Sequence, residues 1–420
     1  MNQPAVNQPA VNQAAVNQPE PAGAGPLAGL SVVELAGIGP APFAGMVLAD
    51  LGADVLRIDR PGPARHPGDP RHDLLNRGKR SAVVNLAVPA GGRLVRGLAA
   101  RADVLLEGFR PGVAERLGVG PAECRAGNPR LVYGRMTGWG QDGPLARTAG
   151  HDLTYLALTG VLHALGRRSG DPAAPMPPAN LLGDYGGGGM LLVAGVLAAL
   201  WRSQRTGQGE VVDAAVVDGT ALLATQLFGF RHGGLWGDRP GGNLLDGGAP
   251  FYAVYPAADG RFLAIGALEP AFFAELLAGL GLDPEQTPAQ YDVPQWPRLR
   301  ELIGRRLATR TRDEWLAAFA GSDACVAPVL DWEEAAAHPQ LAARGVYRDG
   351  HGVRQPAPAP RFALAPTRFP GRPPPYPGEH TRAALTEWGV PDVDELLATG
   401  VVAAPDPAPA GDAAPGTMGA

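Results

Sequence analysis

Two short motifs in this chain contain side chains that could transfer protons. His151 stands in the motif Gly150-His151-Asp152, and Asp184 comes just before four consecutive glycines, 186–189, where an apolar segment begins. A histidine titrates near neutral pH, and a carboxylate near a helix start can serve as a second proton-transfer group. Backbone amides at such a helix start could stabilise an anion formed between two proton transfers. The residue types therefore predict an enzyme that moves a proton between opposite faces of one carbon atom.

The same residues have structural alternatives that the sequence leaves open. An Asp ahead of a helix is commonly an N-cap, which is the alternative role of Asp184, and His151 could cap the turn in which it stands. Glu269 is a third candidate, because it ends a strand-like run and stands directly before Pro270 at a helix start. Its alternative role is to complement the charge at that helix terminus.

The elements that would position these residues alternate between strands and helices in the first half of the chain. Patterns rich in β-branched residues predict strands at 31–35, 54–58, 81–85, 103–107 and 131–133, and apolar periodicity predicts helices at 42–51 and 90–100. Repeats of this length favour a parallel sheet with both faces covered. The predicted fold class is therefore α/β, with a Rossmann-like large domain.

The second half of the chain predicts a smaller α+β domain. Its predicted elements are a strand at 211–213, a long helix at 214–230, strands at 251–255 and 262–265, and helices at 270–280, 297–310 and 312–320. From about Leu330 to Pro377 the chain is rich in proline and arginine, which is typical of a strap over another surface. The predicted division is a disordered repeat tail at 1–24, a large domain at 25–215, a linker helix at 216–240, a small domain at 241–330, a return segment at 331–385 and a largely disordered tail at 386–420.

Composition argues against several classes of function. The formal net charge is −5, so we expect no nucleic-acid partner. Cys124 and Cys325 are the only cysteines and no histidine has metal-ligand spacing, so we expect neither a disulfide framework nor a metal site. The apolar segment 190–201 is shorter than a bilayer span, and the N-terminus does not resemble a signal peptide. We expect no membrane association and a reducing, cytoplasmic location.

The glycine-containing turns do not fit a nucleotide cofactor. After the first predicted strand, residues 36–42 contain only the first half of a Gly-x-Gly-x-x-Gly turn. They also place Pro40 and Pro42 where backbone amides would have to face a pyrophosphate. The glycines at 186–189 lack the Gly-Lys-Ser/Thr ending of a P-loop. We therefore expect no NAD, no FAD and no nucleotide hydrolysis.

Several motifs together resemble the family III CoA-transferases over roughly residues 27–369. These motifs are Leu30-Ser-Val-Val-Glu-Leu-Ala-Gly-Ile-Gly-Pro-Ala-Pro42, Leu51-Gly-Ala-Asp-Val-Leu-Arg-Ile-Asp-Arg60, Gly108-Phe-Arg-Pro-Gly-Val-Ala-Glu-Arg116 and Met136-Thr-Gly-Trp-Gly-Gln141. The segments 150–155, 183–187, 246–250 and 266–270 are similar to the branch of that family formed by the α-methylacyl-CoA racemases.

The resemblance implies an enzyme that inverts the configuration at the carbon between a methyl branch and a CoA thioester. His151 and Asp184 would be the two bases, His151 for the 2S epimer and Asp184 for the 2R epimer, and Glu269 would orient or charge-tune His151. No cofactor is implied, because CoA is part of the substrate. The family arrangement is an interlocked homodimer in which residues 331–385 complete the large domain, and the active site lies between the large domain of one chain and the small domain of the other.

The resemblance also implies which residues bind the acyl-CoA substrate. Arginines would lie near the CoA phosphates, and Val84 to Ala87 would lie along the adenine. Relatives often carry a lysine where this chain has Leu86-Ala87-Val88, so Lys79 or Arg80 would replace that phosphate contact. The full substrate-binding set is Arg60, Val84, Asn85, Leu86, Ala87, Gly108, Phe109, Arg110, Arg116, Tyr155 and Asn180.

Two other functions remain open from the sequence. A CoA-transferase of the same family would use Asp184 as a nucleophile and form acyl-anhydride and CoA-thioester intermediates. Such relatives generally lack a histidine at position 151, so His151 favours the racemase. A non-catalytic CoA-binding protein would tolerate the loss of His151 and Glu269, yet both are present in their motifs.

Overall fold

The computed structural model of the chain describes residues 25–62, 68–166 and 175–405, so the predicted tail at 1–24 lies outside the described residues. The strands are β1 Ser31–Leu35, β2 Asp54–Asp59, β3 Arg80–Val84, β4 Val104–Glu107, β5 Val132–Thr137, β6 Val211–Ala215, β7 Tyr252–Pro256, β8 Phe262–Gly266, β9 Val326–Pro328, β10 Tyr347–Gly350, β11 Val353–Pro356 and β12 Val402–Ala403. The helices are α1 Pro40–Asp50, α2 Pro89–Ala99, α3 Val113–Arg116, α4 Pro121–Gly127, α5 Asp152–Leu158, α6 Val161–Ala164, α7 Met190–Thr206, α8 Val216–Leu223, α9 Thr225–His232, α10 Pro270–Leu280, α11 Trp296–Leu307, α12 Arg312–Ala318, α13 Trp332–Ala337, α14 Pro339–Arg344, α15 Thr381–Glu387 and α16 Val393–Ala398. Residues Leu181–Gly189 form a π-helical segment directly before α7.

The predicted Rossmann-like sheet is confirmed. Seven strands lie in the order β12-β3-β2-β1-β4-β5-β6, and β1 to β6 pair in parallel. Alternate residues of β1 face opposite sides of the sheet, so Val33 joins one hydrophobic core and Val32 joins the other. Both cores are covered by helices, which explains why the strands are almost uniformly apolar.

The predicted smaller α+β domain is also confirmed. Strands β7, β8 and β9 form an antiparallel sheet in that order. Helices α10 to α12 enclose a separate core that contains Phe251, Trp296 and Trp315. The ring of Phe251 makes edge contacts with Phe273, Tyr291 and Trp296, and these large aromatic rings account for much of the apolar surface that this domain buries.

The predicted long helix at 214–230 is wrong in its first residues and in its continuity. Strand β6 extends to Ala215, because Ala214 and Ala215 pair with the end of β5. Helix α8 then ends at Leu223, and Ala224 separates it from α9. The pairing with β5 outweighs the helical propensity of these alanines.

The apolar helix is longer than the segment 190–201 suggests. The π-helical segment and α7 form one continuous helix, Leu181–Thr206, which is long and apolar enough to cross a membrane by length and composition alone. Leu192, Val193 and Val196 pack into the core beneath the central sheet. Since this face of the helix is buried in the protein, we interpret it as a core helix.

The C-terminal tail differs from its prediction up to residue 405. Helices α15 and α16 lie within or next to it, and β12 pairs antiparallel with β3 at the edge of the central sheet. Val401 and Val402 are buried there. The edge of the sheet supplies backbone hydrogen bonds to this segment, and the composition of the segment does not reveal them. Residues 406–420 lie outside the described residues.

Candidate active site

A cavity of about 770 Å³ opens at the carboxyl ends of the parallel strands. Its walls come from the segments that follow β1, β4 and β5, together with the start of α5 and the π-helical segment. Ligands of open α/β sheets bind at this edge, because the loops that follow parallel strands meet there. The cavity brings together seven of the residues predicted from the sequence, which are His151, Asp184, Gly108, Phe109, Arg110, Tyr155 and Asn180.

His151 is held at the start of α5, where it occupies the N-cap position in an extended backbone conformation. Its backbone N–H donates to the Thr154 hydroxyl at 3.0 Å. The side chain is exposed and lines the cavity, so the imidazole is accessible to a ligand. The local backbone thus satisfies the helix start and leaves the ring available for chemistry.

Asp184 does not cap a helix, so its predicted N-cap alternative is wrong. It is the fourth residue of the π-helical segment, whose N-cap is Asn180. The Asn180 side chain makes hydrogen bonds with Asp184 and with Tyr185. A Cβ atom on Gly39 would lie 3.2 Å from Asp184 Oδ2, so the turn after β1 closely approaches the carboxylate. Insertions of π-helix are frequent at functional sites.

The pKa of Asp184 is raised from 3.8 to about 6. Desolvation by burial is the main cause, and the nearby negative charge of Asp152 is the second. A hydrogen bond from Asn180 and the charge of His151 act in the opposite direction. At pH 7 roughly a tenth of such a carboxyl group is protonated, so the group can both accept and donate a proton.

The expectation that amides near Asp184 hold an enolate is wrong for the two nearest ones. The Asp184 N–H donates to Asp152 Oδ1 at 2.7 Å, and the Tyr185 N–H donates to the Asn180 carbonyl at 3.2 Å. Asp152 is a buried neighbour that its sequence position did not reveal as a partner of Asp184.

The glycines after Asp184 serve helix packing. A Cβ atom on Gly187 would lie 2.7 Å from the Thr220 hydroxyl, and one on Gly189 would lie 2.6 Å from the Phe43 ring. These positions let α8 and α1 approach the π-helical segment closely. The run of glycines therefore fixes the position of Asp184 through helix packing. Close approach of a ligand to the backbone is not the reason for these glycines.

Tyr155 forms one wall of the cavity. Its ring packs edge-on against Trp139, with 4.7 Å between ring centroids. A Cβ atom on Gly138 would lie 1.9 Å from the tyrosine ring, and one on Gly150 would lie 2.5 Å from it. Burial and the nearby charge of Asp184 raise the pKa of Tyr155, so its hydroxyl keeps its proton.

The Gly108–Arg110 wall is positioned by a buried ion network below it. Glu107, at the end of β4, accepts the Phe109 N–H at 2.6 Å and the Arg135 Nε–H at 2.9 Å. Arg135 also pairs with Glu115 at 2.8 Å. Glu107 is fully buried, so loss of its partner would leave a costly unpaired charge. This network fixes the backbone that carries Arg110 into the cavity.

The other predicted site residues do not line this cavity in the single chain. Arg60 and Arg116 are exposed outside it. Val84 is a core residue that pairs with Val402, while Asn85, Leu86 and Ala87 follow it at the sheet edge. Glu269 is exposed on the small domain, where it is the N-cap of α10.

The expectation that Lys79 or Arg80 binds phosphate is wrong. Lys79 is fully buried, and its Nζ lies 2.7 Å from Glu34 Oε2 and 2.9 Å from the Pro42 carbonyl. Arg80 pairs with two carboxylates, those of Asp54 and Glu387. The Lys79 contact joins β1 to the first turn of α1, which lines the cavity, so this lysine has a structural role.

Two basic side chains of the cavity were missed by sequence reasoning. Arg57 lies near the carboxyl end of β2, pairs with Asp59 at 2.9 Å and lines the cavity. His72 lines the same cavity from a short helical turn between β2 and β3. Arg57 could have been found, because charged residues at the carboxyl end of a parallel strand commonly face the ligand site. His72 carries no comparable signal.

Comparison with known proteins identifies the class to which this fold and cavity belong. The chain belongs to CoA-transferase family III, whose family model matches residues 27–381. It is 46% identical over 364 residues to the mouse (Mus musculus) alpha-methylacyl-CoA racemase and 45% identical over 366 residues to the human (Homo sapiens) one. Each alignment covers 86% of this chain and 93% of the relative.

More distant relatives have other activities. The chain is 29% identical over 405 residues to the mouse (Mus musculus) succinyl-CoA:glutarate CoA-transferase, and the alignment covers 90% of each protein. Among solved structures, a CAIB/BAIF family protein from Brucella suis superposes with a TM-score of 0.73 at 29% identity, over 87% of this chain and 99% of that one. The greater identity to the racemases agrees with the branch indicated by the motifs.

Proposed function

We propose that the protein is a racemase that interconverts 2R- and 2S-methylacyl-CoA thioesters. The observation that carries this proposal is that His151 and Asp184, which can each transfer a proton, line one cavity. Its support from relatives is the 45–46% identity to alpha-methylacyl-CoA racemases. The substrate is therefore an acyl-CoA, and its α-proton is acidified by the thioester carbonyl.

The mechanism uses one base on each face of the α-carbon. One base removes the α-proton and gives an enolate, and the other delivers a proton to the opposite face. Asp184 suits both roles, because its pKa of about 6 lies near neutral pH. Since the amides of Asp184 and Tyr185 are already bonded, other donors must stabilise the enolate oxygen. No step of this mechanism requires a cofactor.

We also propose that Arg110 and Arg57 bind the acidic groups of CoA, since both line the cavity. We propose that Arg60 and Arg116 bind phosphates farther along the CoA chain. Positive side chains in a partly enclosed cavity attract phosphate at long range, and the pairing of Arg57 with Asp59 offsets part of the positive charge of Arg57. Sequence resemblance supports Asn85 to Ala87 as the adenine contact, whereas Val84 is fully buried in the core.

We propose that the working form is a cytoplasmic homodimer in which Glu269 of one chain acts at the cavity of the other. Leu153, Leu158, Leu181 and Leu222 expose apolar side chains on α5, the π-helical segment and α8. Apolar surface of this kind commonly marks an interface. Light scattering should give twice the 43.4 kDa mass of one chain. A fully active monomer would contradict this arrangement.

A deuterium-exchange experiment tests the racemase proposal against the transferase alternative. The protein is incubated with 2-methylacyl-CoA in heavy water, with and without a carboxylic acid acceptor. A racemase incorporates α-deuterium and inverts the configuration without any acceptor. A transferase forms a new CoA thioester only when the acceptor is present, and a binding protein does neither.

A further inference from the structure

Asp152 links the two groups to which we assign proton transfer. It directly follows His151 in the sequence, at the start of α5. Its Oδ1 accepts the backbone N–H of Asp184 at 2.7 Å, and its carboxylate also accepts the Gly183 N–H. The residue is only 8% exposed, so these contacts are shielded from water. One short side chain therefore connects the segment that carries His151 to the segment that carries Asp184.

Gly183 is required for this contact. A Cβ atom at position 183 would lie 2.3 Å from Asp152 Oδ1 and 3.1 Å from its carboxyl carbon. Heavy atoms do not approach this closely, so any side chain would displace the carboxylate. The glycine that precedes Asp184 is therefore needed to leave room for the Asp152 carboxylate. The later glycines have a different role, which is to let the neighbouring helices pack closely.

We propose that Asp152 is a positioning residue that couples the two bases. Its carboxylate holds the backbone of the π-helical segment at a fixed distance from His151, and its negative charge disfavours a second charge on Asp184. This inference rests on the proposed racemase function. Asp152 itself does not line the cavity, so we assign it no contact with substrate.

The electrostatic environment of Asp184 agrees with this role. Asp152 is the largest charge effect on the pKa of Asp184 after burial, and its like charge raises that pKa. The charge of His151 lowers it. The remaining titratable groups around the two carboxylates are Tyr155 with its neighbour Arg110, and Tyr185 with its neighbour Asp73.

The substitution Asp152→Asn separates the charge from the shape of the side chain. An asparagine keeps an oxygen that can accept the Asp184 N–H, but it carries no charge. We measure the pH dependence of kcat/KM in the direction in which Asp184 accepts the α-proton. Its acid limb should lie near pH 6 in the wild type and at lower pH in the variant, though still above 3.8, because burial remains the main cause. A purely structural Asp152 would leave this limb unmoved.

The substitution Gly183→Ala separates the position from the charge. It keeps the Asp152 charge and displaces the carboxylate, so turnover should fall by about 10- to 100-fold, while the KM for acyl-CoA should change little. The helical control Gly97→Ala, where a new Cβ would meet nothing within 4 Å, should leave both constants unchanged. Wild-type turnover in a folded Gly183→Ala protein would overturn the positioning role.

A control tests whether any carboxylate that accepts a backbone amide would give the same result. Asp103 accepts the Ser31 N–H at 2.9 Å at the amino end of the sheet, away from the cavity. The substitution Asp103→Asn should lower the melting temperature without moving the pH profile. If the wild type inverts its substrate and Asp152→Asn leaves the acid limb near pH 6, this inference fails alone. If the wild type shows no α-proton exchange, the racemase function and this inference fail together.

Discussion

The substitution Asp184→Asn should make the protein more stable at high pH. A carboxyl group whose folded-state pKa is raised loses stability as pH rises, because the unfolded chain releases the proton more readily. For Asp184 the penalty is absent below its ordinary pKa of 3.8 and complete above about 6. Asparagine is close in shape to the protonated acid and never ionises, so it escapes the penalty.

The size of the effect follows from the pKa. A rise from 3.8 to about 6 corresponds to about 3 kcal/mol at about 1.4 kcal/mol for each pH unit. Because Asp184 is only partly buried in an open cavity, solvent screening reduces this value, and we expect about 1.5 kcal/mol. The stability gain of the variant should therefore grow between pH 4 and pH 6 and stay constant above pH 6.

Urea unfolding measured from pH 4.5 to pH 8 checks this prediction. The difference in unfolding free energy between variant and wild type is plotted against pH, so effects of the asparagine that do not depend on pH move the whole curve and leave its slope unchanged. Asp238→Asn, at a surface carboxylate paired with Arg231, is the control and should show no stability gain that grows from pH 4 to pH 6. The absence of such a gain in Asp184→Asn would refute the assigned pKa and the mechanism that relies on it.

Three further predictions concern the scaffold and the substrate. Gly45→Ala should destabilise the protein by about 2–4 kcal/mol in urea unfolding, because its Cβ would lie 1.8 Å from the buried carboxylate of β1, whereas Gly97→Ala should be neutral or slightly stabilising. Arg110→Ala should raise the KM for acyl-CoA more than Arg116→Ala does. It should leave kcat nearly unchanged, because phosphate contacts persist in the transition state. A larger rise in KM for Arg116→Ala would mean that Arg116 makes the more important phosphate contact. Glu269→Gln should shift the pH profile of turnover without abolishing it, whereas complete loss would make Glu269 a base.

Much of the fold could be predicted because its signals are local. The apolar strands β1 to β5 and the helices between them follow from short patterns, and a parallel sheet then follows from their alternation. The pairing of β12 with β3 could not be predicted, since Val402 lies more than 300 residues beyond its partner Val84. Long-range pairing of a two-residue strand has no signal in its own composition.

The candidate site was predictable in its reactive groups and less so in their surroundings. His151 and Asp184 stand in recognisable motifs, and both line the cavity. The neighbours that change their pKa and position are brought close only by the fold. The contact between Asp152 and Asp184 depends on a π-helical turn that no sequence pattern predicts. Lys79 shows the opposite kind of error, in which a structural residue is predicted to bind ligand. It is a basic residue near a predicted binding segment, so it was assigned to phosphate, but it is buried beside Glu34.

The central claim is that His151 and Asp184 are two bases on opposite faces of one carbon, and epimer-specific exchange tests it most directly. His151→Ala and Asp184→Asn proteins are each incubated in heavy water with pure 2R- or pure 2S-methylacyl-CoA, and inversion and deuterium uptake are measured separately. We predict that both variants lose inversion, while residual uptake occurs with the 2R epimer in His151→Ala and with the 2S epimer in Asp184→Asn. Wild-type inversion by His151→Ala, or an acyl adduct trapped on Asp184, would contradict the two-base mechanism, and the adduct would favour a CoA-transferase.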